Sequence, residues 1–90
     1  MYGGVFTQRS FNVTDYCNII VSPTDGSPDC DMEIYTAEKT WHGMVAKDYV
    51  ATVSSVSGSN TTYNGVGDYY LYFRNFAGVC WTGGISITWE

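Results

Sequence analysis

The sequence predicts an all-β protein, a two-layer antiparallel β-sandwich of about seven or eight short strands. Apolar and polar residues alternate in segment after segment, whereas no segment of useful length repeats its apolar residues at helical spacing. The composition favours strands, since the chain contains 8 Tyr, 4 Phe and 3 Trp. Gly, Asn, Ser and Asp separate the alternating segments at short intervals, as the turns of a sandwich do.

The chain length and composition predict a single folded domain over residues 1–90. A chain of 90 residues buries only about 60–65% of its unfolded surface, so it has little core to divide between two units. Apolar residues make up 44% of the sequence and charged residues only 14%. This balance favours a packed core over disorder.

Four strands are expected in the first half of the chain, at 5–13, 17–22, 30–36 and 41–46. The second and third have apolar residues at every second position, so each has one buried face. Their inward sets are Cys17, Ile19 and Val21, and Cys30, Met32 and Ile34. Two prolines and a glycine lie between residues 22 and 29, so no strand can continue through this stretch. A helical turn within residues 37–47 is an alternative, although Gly43 and Val45 interrupt the helix-forming residues there.

Four more strands are expected at 49–56, 60–63, 68–75 and 84–89. The last alternates cleanly, with Ile85, Ile87 and Trp89 on one face and Ser86 and Thr88 on the other. Strand 68–75 is aromatic on both faces. Leu71 and Phe73 share one face of it, and Tyr70, Tyr72 and Arg74 share the opposite one.

The charge balance excludes several classes of partner. The net charge is −5 with only four Lys and Arg residues, which removes the attraction that supplies most nucleic-acid affinity and most binding to anionic lipid. No apolar run approaches the roughly 20 residues that span a bilayer, so membrane insertion is not expected. The first residues show neither the charged nor the apolar region of a signal peptide, and we expect Met1 to replace a removed leader. We therefore expect a secreted or extracellular protein.

The three cysteines suggest one disulfide and one remaining thiol in such a compartment. Cys17 and Cys30 are the preferred pair because they share the inward phase. Closing their loop of about 14 residues would stabilise the fold by roughly 3 kcal/mol in the chain-entropy model. Pairing of Cys80 with either partner and a fully reduced chain both remain open.

No catalytic motif stands out, and the chain is not expected to be an enzyme. A cysteine nucleophile would need a histidine partner, and the single histidine, His42, lies in no known nucleophile signature. The sequence lacks G-x-S-x-G. A glycosidase needs two carboxylates across a cleft, and Glu33 and Glu38 are the only internal glutamates of a sandwich too small to hold a deep one.

No cofactor is expected, and the metal candidates are weak. Possible zinc ligands are scattered at Cys17, Cys30, His42 and Cys80, without the short spacings of a zinc site. Calcium has weak candidates in one Pro- and Gly-rich loop, where Asp25, Asp29 and Asp31 lie close in sequence. The bidentate Glu of the EF-hand is missing, and a solvated acidic turn explains the same residues.

Two segments near the end carry a resemblance to a known group of domains. They read DYYLYFRN at 68–75 and, after a loop, GGISITW at 83–89. Together they resemble the closing strands of small secreted bacterial jelly-roll or β-sandwich domains of unknown function and, more distantly, pre-peptidase C-terminal domains. The resemblance implies the sandwich fold, and no catalytic residue carries over.

The two-sided aromatic strand gives the functional hypothesis. Exposed aromatic faces stack on sugar rings, so Tyr70, Tyr72, Arg74 and Trp41 are the candidate ligand-binding residues of a non-catalytic extracellular module for carbohydrate or another cell-surface polymer. Tyr, Trp and Arg also dominate protein interfaces. The alternative is therefore a structural or antagonistic protein-interaction domain, such as a self-assembling surface subunit or a bacteriocin-like or inhibitor protein.

Overall fold

The computed structural model describes residues 4–23, 31–54, 58–75 and 83–90. These residues form eight antiparallel strands in two packed sheets, and they contain no helix. The predicted all-β two-layer sandwich is therefore confirmed. The strands are β1 (Gly4–Phe6), β2 (Phe11–Val13), β3 (Cys17–Pro23), β4 (Asp31–Thr40), β5 (Gly43–Ser54), β6 (Ser59–Tyr63), β7 (Gly67–Asn75) and β8 (Gly83–Trp89).

The two sheets differ in size. The larger has five strands in the order β1-β7-β4-β5, and β2 pairs with β7 beyond the end of β1. The smaller has three strands in the order β6-β3-β8. The sheets meet at their margins, where β5 contacts β6 and β2 contacts β8. Among the described residues, no helix is long and apolar enough to cross a membrane.

The core lies between the sheets and contains the described residues that strand phase predicted to point inward. Cys30, which was also predicted to point inward, lies outside the described residues. Alternation in β3, β4 and β7 gives each strand one apolar face, and burying these faces together drives the packing. Partly buried Ile85, Ile87 and Trp89 of β8 pack against the same cluster, as predicted. The buried cluster comprises Phe11, Val13, Cys17, Ile19, Val21, Met32, Ile34, Leu71 and Phe73.

The first predicted strand, 5–13, is interrupted in the structure. β1 and β2 both pair with β7, and the polar stretch 7–10 between them is not in a strand. Thr7 bridges the gap, because its N–H donates to the Leu71 carbonyl at 2.9 Å and its hydroxyl accepts from the Leu71 N–H at 3.1 Å. The backbone N–H and C=O of Leu71 therefore both have a hydrogen-bond partner, although residues 7–10 are not in a strand.

Residues 37–47 form a β-hairpin, and the alternative of a helical turn is wrong. Trp41 and His42 make the two-residue turn between Thr40 and Gly43, which are paired. Gly43 has φ of 115°, a backbone conformation that favours glycine. The Thr40 hydroxyl donates to the Gly43 carbonyl at 2.9 Å and accepts from the His42 N–H at 3.2 Å. The predicted strands 41–46 and 49–56 are joined in one strand, β5, which begins at Gly43 because residues 41 and 42 form the turn. Residues 55 and 56 lie outside the described part of the chain.

Two irregularities bend β5 against β4. The register moves from Ile34 opposite Ala51 to Tyr35 opposite Tyr49, and then changes again before Ala37. Each change places an extra residue on β5, as in a β-bulge. The Asp48 N–H in this region donates to the buried Thr36 hydroxyl at 3.1 Å. This donor therefore has a hydrogen-bond partner although the strand pairing is irregular here.

Candidate functional site

Four aromatic side chains lie side by side across the outer face of the five-stranded sheet, and we call them the aromatic row. They come from four neighbouring strands and face one another in the pairing register. Leu71 and Phe73 point into the core, so the residue between them on β7 points outward. In spatial order the row consists of Phe6 on β1, Tyr72 on β7, Tyr35 on β4 and Tyr49 on β5.

The rings of the row contact one another along its length. Phe6 and Tyr72 are stacked, with centroids 4.3 Å apart and planes 27° apart. Tyr35 lies 6.2 Å from Tyr72 in a tilted arrangement and 5.8 Å from Tyr49 in an edge-on one. Such pairs contribute about 0.5–1.5 kcal/mol each beyond the area that they bury. Because Tyr49 is 56% exposed and the other three are half-buried, the row presents a continuous aromatic strip to solvent.

Gly4 makes room for one end of this strip. A Cβ atom at position 4 would lie 2.7 Å from the Cε1 and Cζ atoms of Tyr72 and closer still to its hydroxyl oxygen. The Tyr72 ring therefore lies over the bare backbone of β1. A residue without a side chain is what lets Tyr72 lean across β1 and stack on Phe6.

A polar row runs beside the aromatic one, one step along the strands. Arg74 pairs with Glu33, and Glu33 pairs with Thr52. The Tyr35 hydroxyl donates to the Glu33 carboxylate, and the hydroxyls of Tyr49 and Thr52 are hydrogen-bonded at 2.7 Å. The hydrogen bond with Glu33, helped by burial, raises the pKa of the Tyr35 hydroxyl, which stays a neutral donor at physiological pH. The two rows thus place fixed polar groups beside the aromatic strip.

The structure brings three of the four predicted ligand-binding residues together. Tyr70, Tyr72 and Arg74 follow one another on the outer face of β7, with Tyr70 half-buried opposite Ala37. Trp41 lies apart from them at the tip of the β4–β5 hairpin. It is 90% exposed, and its ring contacts the His42 ring in a tilted arrangement, with the centroids 3.5 Å apart. The last pairing of β4 with β7 is four residues before Trp41, so the tip lies about 13 Å along the strand from Tyr70.

Sequence reasoning missed the members of the site that come from other strands. Tyr35 lies between buried Ile34 and Thr36, so strand phase could have placed it on the outer face. Phe6 needed knowledge of which strand pairs with β7. Tyr49 and Thr52 share a face only because a β5 irregularity lies between them, and the sequence gives no clear signal for it.

Cys17 is a buried, free thiol in the structure. Burial raises the pKa of the Cys17 thiol, so it stays protonated and unreactive at neutral pH. This finding does not support the predicted Cys17–Cys30 disulfide. Cys30 itself and Cys80 lie outside the described residues.

The weak calcium candidates also fall largely outside the described part of the chain. Asp25 and Asp29 belong to the stretch 24–30, which the structure does not describe. The backbone of Asp31 begins β4, but the position of its side chain is not described. Among the residues that are described, no group of three or more His, Cys, Asp or Glu side chains could hold a metal ion.

A second tyrosine cluster lies between the sheets at the end of the sandwich near the β6–β7 loop. Tyr69 packs edge-on against Tyr63 at 6.0 Å, and its hydroxyl donates to the Gly65 carbonyl at 2.7 Å. Both tyrosines line a cavity of about 180 Å³. Burial raises the pKa of Tyr69 to about 12. The folded state therefore holds the Tyr69 proton more tightly than the unfolded chain does.

The raised pKa of Tyr69 predicts a loss of stability at alkaline pH. The stabilisation is complete below pH 10, where an unfolded tyrosine keeps its proton, and is lost as pH rises towards about 12. Because Tyr69 is partly solvated, we expect a loss on the order of 1 kcal/mol. Tyr35 and Cys17 also hold their protons more tightly in the folded state, so Tyr69→Phe should lose some stability as well. Denaturant unfolding at several pH values should show a larger loss in the wild type than in Tyr69→Phe. Equal pH profiles for the two proteins would contradict the prediction.

Fold and site together define a class: a small β-sandwich with an aromatic strip across the open face of its larger sheet. In comparisons with known proteins, no family model matches the sequence, and no curated protein or solved structure matches it significantly. Its function is therefore inferred from the site itself.

Proposed function

We propose that this protein is a non-catalytic extracellular binding module that binds a neutral carbohydrate polymer along the aromatic row. The observation that carries the proposal is the row itself, four rings from four strands in mutual contact on an open sheet face. The extracellular setting rests on composition alone, since the chain is rich in strand-forming residues and poor in lysine.

The shape of the row favours an extended ligand. The row crosses three strand-to-strand spacings, so it spans about 14 Å. Aromatic faces stack on the apolar faces of sugar rings, and a strip of this length fits several consecutive sugars better than one. The Tyr35 and Tyr49 hydroxyls and the Glu33 carboxylate lie beside the rings, where they can exchange hydrogen bonds with sugar hydroxyls.

The charges favour a neutral polymer. The polar row contains one cation, Arg74, directly opposite one anion, Glu33, so they balance. The whole chain carries a net charge of −5, which repels polyanions such as acidic polysaccharides. Glu33 is held by the Tyr35 hydroxyl on an open face, whereas glycoside hydrolysis needs two carboxylates flanking the bond that breaks. Binding without catalysis is the function that this arrangement supports.

The proposal is tested by a glycan array, followed by calorimetry with the neutral polysaccharide that binds best. Tyr72→Ala and Tyr35→Ala should each weaken binding at least tenfold, because each removes a central ring of the row. Tyr72→Phe should bind nearly as the wild type does, since it keeps the ring. Trp41→Ala removes an exposed aromatic side chain that lies off the row, and it is the matched control that should leave binding unchanged.

Two results would overturn the proposal. One is polysaccharide binding that survives both alanine substitutions in the row. The other is an array with no bound glycan at all, which would favour the alternative of a protein-interaction domain using the same aromatic face.

A further inference from the structure

The edges of the two sheets differ in how well they are protected against pairing with another chain. Unpaired edges are usually blunted by charges, proline, bulges or short length. β5 carries Lys47, Asp48 and two register irregularities, β1 and β2 have three residues each, and β6 has five. β8 has seven residues with no charge, no proline and no irregularity against β3. It is the edge that lacks these protections.

The open side of β8 borders an apolar groove between the two sheets. The groove has a volume of about 210 Å³. Its apolar lining comes from the larger sheet and from β8, and it consists of Val5, Phe6, Phe73, Ile85 and Ile87. Val5 is 44% exposed, and both isoleucines are only partly buried. β8 has no strand partner on this side among the residues that the structure describes. A strand added here would gain backbone hydrogen bonds and cover apolar surface.

We propose that β8 pairs edge to edge with β8 of a second copy of this chain, forming an antiparallel dimer. The residue pattern of β8 is compatible with antiparallel pairing to a second β8. When the twofold axis passes through Ser86 or Ile87, inward residues of one copy lie beside inward residues of the other, and outward residues beside outward ones. Although each chain carries a net charge of −5, the paired strands carry none, so no like charges face each other at the junction.

The dimer would join the two small sheets into one continuous sheet in the order β6-β3-β8-β8-β3-β6. The groove beside β8 shares Phe6 with the aromatic row, but β8 itself contributes no residue to that row. The inference therefore stands independently of the proposed carbohydrate binding. The test is sedimentation equilibrium of the purified protein without glycan, from micromolar to millimolar concentration. The expected result is a reversible doubling of the mass as concentration rises.

Ser86→Lys is the variant that tests the junction. Its side chain is exposed, so the variant should fold, but two added lysines would then lie close together across the twofold axis. The dimer dissociation constant should rise at least tenfold. Asn60→Lys is the matched control. Asn60 is also exposed and lies in the same cross-strand row as Ser86, on the opposite edge of the sheet, so this variant should dimerise normally.

Hydrogen exchange measured at low and high protein concentration gives a second readout. Amides of β8 should gain protection as the dimer forms, while amides of β6 should not. A monomer at every concentration, larger aggregates in place of a dimer, or equal association of Ser86→Lys and the wild type would each overturn the proposal. Tyr72→Ala should dimerise normally, so loss of carbohydrate binding and loss of dimerisation can be told apart.

Discussion

Gly4→Ala is expected to weaken polysaccharide binding at least tenfold, although it leaves every aromatic residue in place. The new Cβ would lie 2.7 Å from Cε1 and Cζ of Tyr72, which is closer than non-bonded carbon atoms can approach. The Tyr72 ring must therefore leave β1, and its stack on Phe6 is lost. Because the obstacle is a side chain that can rotate, the free energy of unfolding should fall by no more than about 1–3 kcal/mol.

The displacement of the ring can be measured without any ligand. Phe6 and Tyr72 are stacked at 4.3 Å, so NMR resonances of the Phe6 ring should shift when Tyr72 moves away. Gly84→Ala is the matched control, because a Cβ there meets no atom within 4 Å. If Gly4→Ala moved the Phe6 resonances and binding stayed intact, the row would not be the binding site. If neither changed, the packing of Tyr72 over Gly4 would be wrong.

The buried faces of the sandwich could be predicted because strand geometry is local. Side chains alternate between the two faces of any strand, so the apolar phase in β3, β4 and β7 was enough to identify the core. That phase placed Ile19, Ile34 and Leu71 inside, and all three are fully buried. It also placed Tyr72 on the opposite face of β7, where the structure has it.

The β4–β5 hairpin shows where local propensity failed. Ala, Glu, Lys and Met in 37–47 favour a helix, and in that pattern Gly43 is only an interruption. In the structure Gly43 has positive φ and closes a two-residue turn. Pairing of β4 with both β5 and β7 outweighs helix propensity there, and such long-range pairing is not visible in a short window of sequence.

The aromatic row could be predicted only in part for the same reason. The sequence predicts Tyr72 as a site residue because it lies in a strand that is aromatic on both faces. Its neighbours Phe6 and Tyr35 are distant in sequence, and only the strand order β1-β7-β4 brings them beside it. Trp41 is separated from these residues by the topology, since it lies at the tip of the β4–β5 hairpin and β4 pairs with β7 only as far as Ala37. Composition shows that the chain is rich in aromatic residues, but the strand order determines which of them lie side by side.

Leu71→Ala is expected to lower the free energy of unfolding by about 2–5 kcal/mol, which is the usual cost of removing a buried leucine side chain. Leu71 is completely buried in β7, an interior strand of the larger sheet, and it belongs to the central apolar cluster. Small domains have total stabilities of about 5–15 kcal/mol, so this single change would remove a large share. Urea unfolding followed by fluorescence measures the difference.

Val66→Ala is the matched control, because Val66 is apolar but 66% exposed. Its effect should stay within about 0.5 kcal/mol. A similarly small effect of Leu71→Ala would contradict the packing of the two sheets around β7.

Leu71 faces the core, and its neighbour Tyr72 faces solvent, so the contributions of β7 to stability and to binding can be separated. At temperatures where Leu71→Ala remains folded, it should bind polysaccharide like the wild type, whereas Tyr72→Ala should fold and fail to bind.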